Sequence, residues 1–103
     1  MLVGVAKDCN TVGEAASNHG ELVNEVIDDL VAAVSKKEGI SFPSGTKERL
    51  AAYTDVVSTF PAAVKEFEWR NSYFYNLGDQ ACPKHNSLLR DCESRGKLSF
   101  KLP

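Results

Sequence analysis

ELVNEVIDDLVAAVSKKEG, residues 21–39, decides the fold class of this chain. Leu22, Val26, Leu30 and Ala33/Val34 recur at helical spacing, and Val23, Ile27 and Val31 form a second stripe beside them. Together they predict a helix over 21–37 with a wide buried face. Acidic Glu21, Glu25, Asp28 and Asp29 crowd its first half, while Lys36 and Lys37 stand at its end, the order the helix dipole favours. Gly39 follows where a left-handed cap closes a helix.

Outward from this helix the pattern stays helical. SFPSG, residues 41–45, interrupts the chain, and Ser44 or Thr46 can cap a second helix carrying Leu50, Tyr53, Val57 and Phe60 up to Pro61. A third helix is predicted over about Ala62–Leu77, closing at Gly78, with Glu66 and Arg70 spaced for an intrahelical ion pair. Past Pro83 a short helix is expected around Ser87–Glu93, then a tail that is either an extended edge or disordered. No sustained period-two alternation occurs, so the expectation is one all-α helical bundle over 1–103, with its core in about 1–78. The opening MLVGVAKDC reads as a helix cut from a longer element, and it fits neither a signal peptide nor a membrane span.

Composition narrows the function classes. With 103 residues, 43% of them hydrophobic, 25% charged and a net charge of -2, the chain suits one soluble core. Its basic residues are scattered, so nucleic acid is not an expected partner, and no membrane association is expected. The odd cysteine count (Cys9, Cys82, Cys92) argues against a secreted disulfide framework and for a reducing, cytoplasmic setting. CPKH places Cys82 and His85 at a spacing metal ligands use, with Cys92 near enough to join. Three ligands fall short of a tetrahedral zinc site, so the reading is a loop cysteine and a surface histidine, with no metal site. No nucleophile motif and no glycine-rich phosphate loop is present.

KEFEWRNSYFY, residues 65–75, carries a polar group in an unexpected place. Val64, Phe67, Asn71 and Phe74 share one helical face, so the Asn71 amide needs buried partners or borders a cleft. Lys7 and Asn10 share a face if the first segment is helical. Such a lysine is ordinarily solvated, but at a cleft mouth it can act as a general acid.

These features in this order resemble the C-terminal helical domain of ketopantoate reductase, which belongs to the 6-phosphogluconate dehydrogenase C-terminal-like bundles. The shared features are a lysine and asparagine on an opening helix, the long helix of residues 21–43, and a serine before a glutamate-bearing helix. The family motif Glu-x-Asp-x-x-Asn-Gly is matched at residues 66–72, EFEWRNS, by Glu66 and Asn71, with Glu68 for the aspartate and Ser72 for the glycine. The resemblance covers residues 1 to about 77. It implies reduction of 2-dehydropantoate to pantoate by NADPH, with Lys7 as general acid, Glu66 on the substrate hydroxyl, and Asn10, Ser58 and Asn71 as substrate-binding companions. The spacing departs from the family's, in which the lysine and two asparagines follow one another at intervals of four; here Asn10 is three residues after Lys7 and the second asparagine is missing. The family's N-terminal Rossmann domain is also missing, so the chain alone is expected to bind no cofactor and to be inactive. The expected partners are that Rossmann half, in the same longer chain or as a separate subunit, and a second copy in a homo-oligomer. The other reading is a non-catalytic helical interaction or homodimerisation module, with Trp69, Tyr73 and Tyr75 at its interface.

Overall fold

In a computed structural model, which describes residues 1–64, 67 and 70–103, the chain is all-α. The helices are α1 (Leu2–Ala6), α2 (Val12–Asn18), α3 (Gly20–Glu38), α4 (Thr46–Val56), α5 (Asn71–Asn76) and α6 (Pro83–Ser94). Among the described residues the only β-type pairing is an isolated bridge between Thr11 and Pro61. No helix among them is long and apolar enough to cross a membrane.

α3 forms as its pattern predicts, and Gly39 closes it in the left-handed conformation, φ 66°. Its buried Val23 and Val26 pack with Val3 of α1, joined by half-buried Leu22, Ile27 and Leu30. A second cluster lies on the other side of α1, where Leu2 and Ala6 meet Phe67, Leu89 and Cys92. Leu88 touches both clusters, so α1 is clamped between α3 and α6. α1 is five residues long, too short to hold itself as a helix, and this double burial supplies its stability.

α2 begins with a capping device. Thr11 Oγ1 accepts the Glu14 N–H at 3.1 Å, and the Glu14 carboxylate reaches back to the Asn10 N–H at 3.0 Å. Beside it, residues 10–13 and 58–62 run antiparallel: Val12 N–H donates to Phe60 O (2.9 Å), Gly13 N–H to Ser58 O (2.9 Å) and Ala62 N–H to Asn10 O (3.1 Å). Gly13 makes this seam possible, because a Cβ there would stand 2.9 Å from both the Ser58 Cβ and its backbone oxygen. Gly4 meets the same need at Ala62, where an added Cβ would come 2.6 Å from the alanine methyl.

Three sequence expectations are corrected here. A single helix over 62–77 does not form: residues 62–64 lie outside any helix, Arg70 has non-helical dihedrals (φ -123°, ψ -85°), and the helix starts only at Asn71. The seam holds the start of this stretch in extended form, with Ala62 paired to Asn10. The expected Glu66–Arg70 ion pair lies outside the described residues. Second, the core does not stop near residue 78. α6 is longer than expected, buries His85, Asn86, Leu89 and Cys92, and is followed by a tail whose Leu98, Phe100 and Leu102 pack on the α1–α6 cluster. Third, Gly45 in the left-handed conformation, not Ser44 or Thr46, occupies the position before α4.

α4 is inverted relative to an ordinary surface helix. Ala51 and Thr54 face the body of the protein and Lys47 bridges to Asp28 of α3 at 2.8 Å. Leu50, Tyr53 and Val56, at i, i+3 and i+6, are left exposed to solvent, Val56 at 77%. No residue of α4 is buried. Phe60, at 59% exposure, and Ile40 and Phe42 of the preceding loop add to this wet apolar surface.

Candidate functional site

Two places in the molecule gather polar side chains against apolar walls. The first is a cleft of about 610 Å³ between the end of α1, the strap 62–64 and the chain leaving α6. Val5, Ala62, Val64 and Leu98 form its apolar side, and Asp8, Asn10, Arg95, Lys97 and Ser99 its polar side. Asp8 stands just after α1 with φ 59°, the one described non-glycine residue in the left-handed region. Arg95 donates to Ala6 O at 2.6 Å and to the Asp8 carboxylate at 2.7 Å, and Lys97 bonds the other Asp8 oxygen. These two cations, Lys97 foremost, hold the Asp8 carboxyl below its usual range.

The second place is a buried amide and imidazole chain joining α5 to α6. His85 and Asn86 are fully buried. The Asn86 Nδ2 donates to Tyr75 O (3.3 Å) and to Asp79 Oδ1 (3.1 Å), which fixes the amide and turns its Oδ1 to His85 Nδ1 at 2.8 Å. His85 therefore carries its proton on Nδ1, leaving Nε2 to accept from Asn71 Nδ2 at 3.0 Å. Phe74 meets the imidazole edge-on, ring centroids 5.7 Å apart. Burial pushes the His85 pKa below the ordinary histidine value, a shift that the Asn86 hydrogen bond and the Asp29 carboxylate oppose. The expected surface histidine is thus a core residue, and the Asn71 amide has found its partner on it.

α6 is held at its start by α3. Asp29 Oδ2 accepts the Lys84 and His85 N–H groups at 2.7 and 3.3 Å, so a side chain from another helix caps orphan donors that Cys82 at the N-cap leaves open. Asp29→Ala is expected to cost about 1 kcal/mol, on the scale of a lost N-cap. Thermal unfolding would register it, and an unchanged Tm would mean that solvent caps α6 equally well.

The resemblance-derived residues fall in different regions of the molecule. Asn10 lines the cleft, and Ser58 sits across the same seam, its carbonyl on Gly13. Lys7 is exposed at the C-cap of α1 and does not line the cleft. Asn71 is tied to His85 on the α5–α6 side through one hydrogen of its Nδ2. Glu66, and with it Trp69, lies outside the described residues. Among the described residues no three His, Cys, Asp or Glu side chains group as a metal site. Both His85 ring nitrogens are taken by amides, and burial raises the pKa of the Cys82 and Cys92 thiols, disfavouring the thiolate.

Sequence reasoning missed the Asp8–Arg95–Lys97 cluster and the Thr11 cap. The cap had a local signal, TVGE at residues 11–14, which is a capping-box spacing. The ion cluster had none, since its partners are 87 and 89 positions apart. No protein-family model, curated protein or solved structure matches this chain.

Proposed function

We propose that this chain is the helical, substrate-side and dimerising half of a ketopantoate reductase-like oxidoreductase, working against a dinucleotide-binding domain in the same longer chain or in a separate subunit. The observation that supports it most is the inverted α4. A helix that turns Ala51 and Thr54 inward and Leu50, Tyr53 and Val56 outward has its apolar face arranged for a covering partner. The seam that ends α4 also carries Ser58 and Asn10, so a domain docked on α4 would lie beside the residues that the resemblance assigns to substrate.

The chain's own residues do not fit NADPH. Its seven glycines form no pyrophosphate turn, so nicotinamide chemistry is assigned to the partner domain and no hydride step to this one. In this reading Lys7 holds the proton that a new alkoxide takes up. The Asn10 amide and Ser58 hydroxyl orient the keto acid, Glu66 contacts its hydroxyl, and Asn71 contributes through the part of its amide that the single bond to His85 leaves.

The second reading, a non-catalytic homodimerisation module, is favoured by a separate observation: Lys7 lies outside the cleft that Asn10 lines, and Asn71 is bonded on another side of the bundle. The two separate on one experiment. The purified chain is mixed with the dinucleotide-binding domain of a ketopantoate reductase, its mass followed by analytical ultracentrifugation, and NADPH loss followed with ketopantoate present. The reductase reading expects a mixed complex and turnover, both abolished by Val56→Asp, which changes an exposed side chain and should leave the unfolding temperature within about 2–4 °C of the parent. Self-association through α4, lost in Val56→Asp and indifferent to ketopantoate, would replace it with the module.

A further inference from the structure

We propose that the tail, residues 98–103, is an exchangeable arm: the groove it fills beside α1 and α6 takes the same segment from a second copy of this chain, with Gly96 as the hinge. This goes beyond the reductase reading, does not rest on it, and leaves α4 uninvolved.

The tail is seated as a bound peptide would be. It belongs to no helix, and its side chains alternate: Leu98, Phe100 and Leu102 are half-buried against the α1–α6 cluster, while Ser99, Lys101 and Pro103 are exposed. Phe100 lies against Phe67 with ring centroids 4.7 Å apart. Among the described residues the tail backbone makes one hydrogen bond, from Leu102 N–H to the Glu93 carboxylate. Three incompletely covered apolar side chains therefore hold six residues against their conformational entropy, and little free energy separates the seated tail from an open one.

Its root is built differently. Arg95 is tied to α1 through Ala6 O and Asp8. Gly96 N–H donates to Glu93 O at 3.0 Å and Lys97 N–H to Cys92 O at 2.8 Å, the bonding of a helix closed by a glycine. This closure turns the chain back onto α1 and needs Gly96 at φ 68°. Glycine takes the right-handed conformation as readily. In that conformation α6 runs on through Lys97, whose N–H then meets Glu93 O in place of Cys92 O, and the tail points away from its own groove. A second copy in the same state offers an identical empty groove, and a reciprocal pair restores every tail contact between chains. The occupant is a second copy because complementarity to Leu-x-Phe-x-Leu is already displayed by the tail on its own groove.

Gly96→Ala isolates the hinge. A Cβ at Gly96 meets nothing within 4 Å, so the variant alters only the backbone preference. Alanine disfavours the left-handed conformation about tenfold relative to glycine. Two hinges open in each exchanged pair, so the dimerisation constant is expected to rise about a hundredfold, from a dissociation constant on the order of millimolar in the parent, where closed and exchanged forms share the same contacts. Sedimentation across the micromolar range reads this in a Val56→Asp background, which removes association through α4. There Gly96→Ala should be mainly dimeric where the Gly96 chain is monomeric. Adding Phe100→Ala should return it to monomer. Excess free peptide KLSFKLP, the sequence of residues 97–103, should do the same with the protein itself unaltered, and a scrambled peptide should not. A Gly96→Ala chain that stays monomeric, a dimer that survives either Phe100→Ala or KLSFKLP, or one dissolved equally by the scrambled peptide would each overturn the proposal.

Discussion

His85→Ala is expected to lower folding stability by about 3–5 kcal/mol, combining the cavity left by a fully buried ring with the orphaned Asn86 oxygen. For a domain of this size that is a fall in Tm of about 15–25 °C. The pH dependence separates this cause from simple loss of volume. Burial depresses the folded-state pKa of His85, so at neutral pH the ring is uncharged in both states. As pH falls below about 6.5 the unfolded chain takes up a proton that the folded one refuses, and stability drops until the folded pKa is reached. His85→Ala has no such drop, so the gap between parent and variant should narrow between pH 7 and 5. Asp8 and Asp79 do not blur this window. Their carboxyls are held below the ordinary aspartate range, by Lys97 and Arg95 at Asp8 and by Arg90 and Asn86 at Asp79, so the stability they lend is lost only in stronger acid. Urea titrations at pH 7, 6 and 5 would measure it, and a gap that stayed constant would mean His85 acts by volume alone.

Leu89→Ala is the matching control and the second large effect. Leu89 is fully buried where α1, α6 and Phe67 meet, and its loss is expected to cost about 3–5 kcal/mol, of the size found for buried leucines whose cavity does not collapse. No titratable group is removed, so this cost should not change between pH 7 and 5. The effect should also be global. α1 has no helix stability of its own and leans on Leu89 through Leu2 and Ala6, so amide protection in α1 should fall together with that in α6. Loss of protection confined to α6 would show that α1 is held by α3 through Val3 instead.

What could be read from the sequence was local. The α3 stripe, its charge order and Gly39 all lie within one helix length, and the structure reproduces them as Gly20–Glu38 with a left-handed cap. The absence of alternation points to the all-α class for the same reason. The 62–77 region misleads because its aromatic spacing is helical while its first residue, Ala62, is held in extended pairing with Asn10 of a distant segment. Asn71 shows where such reading stops. Periodicity marks it as needing a partner, but the partner, His85, is 14 positions away in a polar run that reads as surface.

The helical class, the longest helix with both its ends, and the need of one amide for a buried partner are written in the chain itself, because each follows from spacing and charge within a few turns. Only the assembled fold settles that α6 and the tail complete the core, that α4 shows its apolar side to solvent, and that Asp8 meets Arg95 across 87 positions. Those outcomes depend on contacts between segments far apart in the chain, which no local pattern encodes. α3 buries Val23 and Val26 against Val3 of α1, and α4 settles on it with Ala51 and Thr54 turned inward while Tyr53 stays exposed.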